Sequence, residues 1–76
     1  MTDERPRISE AALIEVLIHE LGSILGRDAN FVGERIRIYP HQGSPNWRAQ
    51  IGPAGTLVKR AFVMAVERVK SRYDLE

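Results

Sequence analysis

Between Ser9 and Leu25 the apolar residues Leu13, Ile14, Leu17, Ile18, Leu21, Ile24 and Leu25 recur at three- and four-residue spacing, with Glu15, His19, Gly22 and Ser23 on the opposite stripe. This period predicts an amphipathic helix. Ser9 is placed to cap it, Glu10 stands in the first turn, and Gly26 suits the left-handed position that ends a helix. Arg27–Asn30 then carries turn chemistry. Val16 lies off the main stripe and is a candidate for an exposed apolar contact.

The pattern changes at Glu34. Glu34-Arg35-Ile36-Arg37-Ile38-Tyr39 alternates polar with apolar, the period of a strand with one buried face, and Pro40 is expected to end it. The turn formers of His41–Asn46 follow, and Trp47-Arg48-Ala49-Gln50-Ile51 alternates again, so the two runs predict a β-hairpin. Gly52 and Pro53 are expected as the cap and first position of a second helix. Its apolar face takes Ala54, Leu57, Val58, Ala61, Phe62, Ala65, Val66, Val69 and Tyr73.

The expected fold class is α+β: one domain over residues 1–76, a two-layer helix-strand-strand-helix unit with a two-stranded antiparallel hairpin packed on two helices. Ile36, Ile38, Trp47, Ala49 and Ile51 form the covered sheet face. A lone hairpin is marginal, so its edges are expected to attract further pairing, in the simplest case with a second copy. Residues 1–7 read as a loose arm, and Leu75-Glu76 as a cloning remnant to be kept out of functional reasoning.

Composition narrows the class. A chain that is 43% hydrophobic and 28% charged is too apolar for disorder and too interrupted by charge for a membrane span. There are no cysteines, which removes disulfides and thiolate metal sites and leaves oligomerisation as the available extra stabiliser of so small a core. The N-terminal residues lack the pattern of a secretory signal, so a cytoplasmic location and no membrane partner are expected. Residues 1–34 carry seven acids and three bases, and residues 35–76 eight bases and three acids. The two halves are expected to meet as complementary faces.

Strand alternation points Arg35, Arg37, Tyr39, Arg48 and Gln50 outward. Guanidiniums bind phosphate in bidentate geometry and a phenol stacks on a base, so Arg35, Arg37, Arg48 and Tyr39 are candidate contacts to RNA or single-stranded DNA. The calculated pI of about 8.2 falls short of the strongly basic footprint of nucleic-acid binders, and a solvated sheet face accounts for the same residues. Lys59, Arg60, Arg68, Lys70 and Arg72 read as a solvated helix face. Trp47 shares the parity of Ala49 and Ile51, which makes it a core residue first and an interface anchor second. Val63, like Val16, is a candidate for an exposed interface.

Ile51–Arg60 resembles the Gly-x-x-Gly loop of KH domains over ten residues, and that resemblance implies a clamp on a nucleic-acid backbone between two helices. Here a strand precedes the loop and Pro53 stands at a usually basic position, so capping accounts for both glycines. No phosphate loop, dinucleotide fingerprint or nucleophile motif occurs, and neither His19 nor His41 has metal-ligand spacing. So small a domain is also expected to lack room for a pocket of about 300 Å³. The sequence therefore reads as a non-enzymatic interaction module without cofactor, pairing with itself or with another protein. Weak nucleic-acid binding through the arginine face is the alternative.

Overall fold

Ser9 opens the first helix as its residue type predicts: its backbone is extended, its Oγ accepts the Ala12 N–H at 3.2 Å, and its carbonyl accepts the Leu13 N–H at 2.9 Å. In the computed structural model, which describes residues 5–76, α1 runs Glu10–Leu25 and ends at Gly26 with φ 72°. The elements in order are β1 (Arg7–Ile8), α1, a 3₁₀ helix (Asn30–Arg35), β2 (Ile36–Pro40), β3 (Trp47–Ile51), α2 (Thr56–Val69) and β4 (Asp74–Leu75). This is the expected small α+β fold, an antiparallel hairpin packed on helices. Among the described residues no helix is long and apolar enough to cross a membrane.

The core lies where the two helical stripes meet the inner sheet face. Leu13, Leu17 and Leu21 of α1, Ile36 and Ile38 of β2, Trp47 of β3, and Ala61, Phe62, Ala65 and Val69 of α2 are all buried. Val32 joins them from the 3₁₀ helix. The hairpin register pairs Ile38 with Ala49 and Tyr39 with Arg48, keeping the apolar residues of both strands on one face.

Several boundaries differ from the sequence pattern. Glu34 and Arg35 belong to the 3₁₀ helix rather than to β2. Asp28 Oδ1 accepts the Asn30 N–H at 2.8 Å and Ala29 O accepts the Val32 N–H at 3.1 Å, and these local bonds compete with extension until Ile36. Pro40 does not stop β2 short but is its last residue, opposite Trp47, where its ring nitrogen faces away from β3 and no ladder bond is lost. The second helix begins at Thr56 with Gly55 as its cap, not at Gly52-Pro53. Gly52 donates its N–H to Arg35 O at 2.8 Å, prolonging the hairpin ladder, and it is the Gly55 carbonyl that accepts the first helical bond, from the Lys59 N–H at 3.0 Å. Leu57, expected in the buried stripe, is 72% exposed, and Tyr73 lies beyond the end of α2.

The loose-arm reading is corrected from residue 5 onward; residues 1–4 lie outside the described residues. Arg7 and Ile8 pair in parallel with Asp74 and Leu75, and the Asp74 N–H donates to Pro6 O at 2.9 Å. Arg5 forms an ion pair with Asp74 and donates to Ser44 Oγ. Leu75, set aside as a remnant, is half-buried in this pairing and packs on the core. Asn46 ties the strand pair to the hairpin: its Nδ2 donates to Leu75 O at 2.8 Å, and its Oδ1 accepts the Leu75 N–H at 2.7 Å.

Candidate functional site

The hairpin has two edges, and they are not equivalent. Gly52 donates to Arg35 O and His41 to Asn46 O, which sets the alternation of the antiparallel ladder. Arg48 and Gln50 therefore direct their backbone groups toward β2, whereas Trp47, Ala49 and Ile51 direct theirs outward. No other backbone among the described residues bonds to Ala49 or Ile51 from that side. The outer edge of β2 is closed in part, with the outward N–H and C=O of Ile38 left unbonded among the described residues. The Ile36 N–H donates to Gly33 O, Arg37 Nη1 donates to Ile36 O at 3.3 Å, and Pro40 has no N–H.

Alongside the free β3 edge runs a trough between the strand and α2. One lobe, about 330 Å³, is lined by Ala49, Ile51, Phe62, Val63 and Val66 with Gln50 and Glu67. A second lobe of about 320 Å³ continues past Trp47 and Ala49 to Val66, Glu67 and Lys70. Unpaired strand backbone beside an apolar helix flank is the arrangement that accepts an added strand, because main-chain bonds supply affinity and the flank receives alternate side chains. Val63 on the rim is 61% exposed.

The other candidates are distributed as follows. Val16 is half-buried and packs against the core, so it is not the exposed contact its position off the stripe suggested. Trp47 is 2% exposed and its indole N–H donates to Tyr73 O at 3.0 Å, so its ring belongs to the core and offers no surface anchor. Three exposed apolar residues carried no signal in the sequence as candidates: Phe31, Leu57 and Met64. Phe31 is covered on one face by Arg27, whose guanidinium carbon sits 5.1 Å from the ring centre.

The arginine face is only partly assembled. Arg35, Arg37 and Tyr39 line one cleft of about 350 Å³ with Glu34, Gln50 and Pro53, while Arg48 opens toward the β3 trough instead. Arg35 donates to Pro53 O at 3.0 Å and Arg37 to Glu34 O at 2.8 Å. Both guanidiniums are thus held by neutral carbonyls of their own chain, with Glu34 in the same cleft. Arg35 reaches this position from the 3₁₀ helix, not from strand alternation as the sequence suggested.

A further cleft, about 550 Å³, lies between α1 and the following turn and is lined by Glu15, Ile18, His19, Gly22, Ser23 and Arg27–Asn30. It is open to solvent between elements and does not bear on whether so small a domain can enclose a pocket of about 300 Å³ or more. Among the described residues no metal-binding cluster of three or more His, Cys, Asp or Glu side chains occurs there.

Glu20 is where the two halves of the charge pattern meet. Its carboxylate accepts a bond from Arg72 at 2.8 Å and lies 3.5 Å from Arg68. The hydrogen bond from Arg72, then its charge and the contacts with Arg68, hold the Glu20 carboxyl below its ordinary value against the opposing effect of burial. Lys70 pairs with Glu67 at 2.8 Å. Much of the basic face of α2 is therefore internally compensated. Compared with known proteins, the chain matches no family model, no curated protein and no solved structure.

Proposed function

We propose that this protein is a non-enzymatic protein-interaction module that works by accepting an extended strand along the β3 edge. The observation that carries the reading is the conjunction of outward backbone groups at Trp47, Ala49 and Ile51 with the apolar trough lined by Phe62 and Val66 and rimmed by Val63. A free edge whose outward-facing residues, here Trp47, Ala49 and Ile51, include neither a charged side chain nor a proline invites pairing, and proteins normally cover such edges. On β2, Pro40 removes one outward donor and Gly33 and Arg37 satisfy Ile36, and no outward position of β3 is closed in this way.

The experiment is an NMR titration of the full chain with a short extended peptide that alternates valine and lysine. Shifts at the Ala49 and Ile51 amides and the Val63 methyls support the reading. Shifts at Arg35–Tyr39 alone, or none at all, count against it.

Weak nucleic-acid binding is the second reading, favoured by the grouping of Arg35, Arg37 and half-exposed Tyr39 around one cleft. Labelled single-stranded RNA and DNA in a salt series test it by fluorescence polarisation. Binding that weakens steeply with salt and fails in Arg37→Glu supports it. Absence of binding at low salt removes it.

A further inference from the structure

We infer that the strand accepted at this edge is β3 of a second copy of the chain, antiparallel to the first and centred on Ala49. This rests on the reading of the trough as an interaction surface and names its occupant. Two identical chains carry the same unsatisfied edge, and a two-fold axis lets each edge satisfy the other.

The spacing of the outward groups selects the register. Trp47, Ala49 and Ile51 are symmetric about Ala49, so a two-fold axis there sets Trp47 opposite the partner's Ile51 and Ala49 opposite the partner's Ala49. Every outward donor on the strand then meets an outward acceptor. The side chains agree: the same register sets Arg48 opposite the partner's Gln50 on the solvent face. Sliding the strands one ladder step in one direction brings Arg48 against the partner's Arg48, a like-charge pair that opposes association. Sliding them the other way sets Trp47 opposite the partner's Pro53, which has no N–H to give.

The helix flank adds to the contact. Val63 stands 61% exposed beside the strand edge, and Val66 lines both lobes of the trough. Removing this apolar surface from water is the main gain open to a domain whose own core is small. The product is a four-stranded antiparallel sheet whose outer edges are the two β2 strands, where Gly33 and Arg37 satisfy Ile36, Pro40 has no N–H, and the outward groups of Ile38 are what remain.

Sedimentation equilibrium on the full chain from micromolar to millimolar concentration tests the inference, with a dimer of two 8.6 kDa chains expected. Val63→Glu places charge in the contact from an exposed position and is expected to give a folded monomer. Ala49→Pro removes an outward N–H without touching the β2 ladder and is expected to do the same. The register is read from Gln50. Gln50→Glu sets a carboxylate against the partner's Arg48 twice over and tightens the dimer by roughly 2- to 30-fold, whereas Gln50→Arg weakens it. A dimer indifferent to both Gln50 replacements uses another surface and overturns the inference. A monomer at millimolar concentration overturns it too; in that case peptide-induced shifts along β3 still support the interaction reading, and their absence removes both.

Discussion

Gly22 and Gly26 lie one turn apart at the end of α1, and each is required for a different reason. Gly26 has φ 72°, where a side chain costs about 1 kcal/mol, so Gly26→Ala is expected to lower stability by that amount in chemical denaturation. Gly22 has ordinary helical geometry, and at an open helical site alanine would add about 0.5–1 kcal/mol. Here an added Cβ would stand 2.8 Å from the Arg27 carbonyl oxygen, a backbone atom that cannot step aside cheaply. Gly22→Ala is therefore expected to destabilise by about 1–3 kcal/mol. Gly26 was legible from its place after the last apolar residue, but Gly22 was not, since only the returning chain after Gly26 makes the site tight. Trp47 is a similar case: strand parity put it inside, but its hydrogen bond to Tyr73 O depends on a turn that periodicity does not encode. Trp47→Phe leaves that carbonyl without its donor and a gap in the core, with an expected loss of about 1–3 kcal/mol measured by denaturant midpoint.

The elements with a full period declared themselves. α1, the hairpin and the body of α2 each hold enough alternations for one face to be fixed by burial. The parts that escaped are too short to have a period. β1 and β4 are two residues each and exist because Asn46 bonds both backbone groups of Leu75 while Pro6 O accepts from Asp74. The 3₁₀ helix, which the Asp28 carboxylate supports by accepting the Asn30 N–H, takes its first residue from the predicted turn and its last two from the predicted strand, and Phe31–Gly33 between them show no period. Asn46→Ala is the direct probe of the terminal pairing. It removes two side-chain bonds to Leu75 and is expected to cost about 1–3 kcal/mol, with faster hydrogen exchange at Asp74 and Glu76 and little change in α1. As for the candidate site, alternation showed which side chains of β3 face out. Which of its edges is free could not be read, because that depends on the ladder parity and on local bonds that close β2.

Across the whole molecule, the opposed charges of the two halves are partly reconciled at Glu20, which joins α1 to Arg68 and Arg72. Because folding lowers the Glu20 carboxyl, its contribution is fully present above the unfolded carboxylate value of about 4.3 and is lost as the pH falls through the lowered folded value. Glu20→Gln is expected to cost about 0.5–1 kcal/mol at neutral pH and to flatten the acid side of the stability profile, as measured by thermal melts across pH. Arg68, Lys70 and Arg72 are compensated by carboxylates and Arg35 and Arg37 are held on carbonyls, while the outward backbone groups of Trp47, Ala49 and Ile51 have no partner among the described residues. The proposed pairing turns on that β3 edge, and the most direct measurement is a dilution series of amide spectra with hydrogen exchange on the intact chain. Concentration-dependent shifts confined to Trp47–Ile51 and Val63–Glu67, with Ala49 and Ile51 amides protected when concentrated and exchanging fast when dilute, are the predicted result. Spectra independent of concentration with those two amides exchanging fast throughout, or shifts gathered on Arg35–Tyr39, would contradict it.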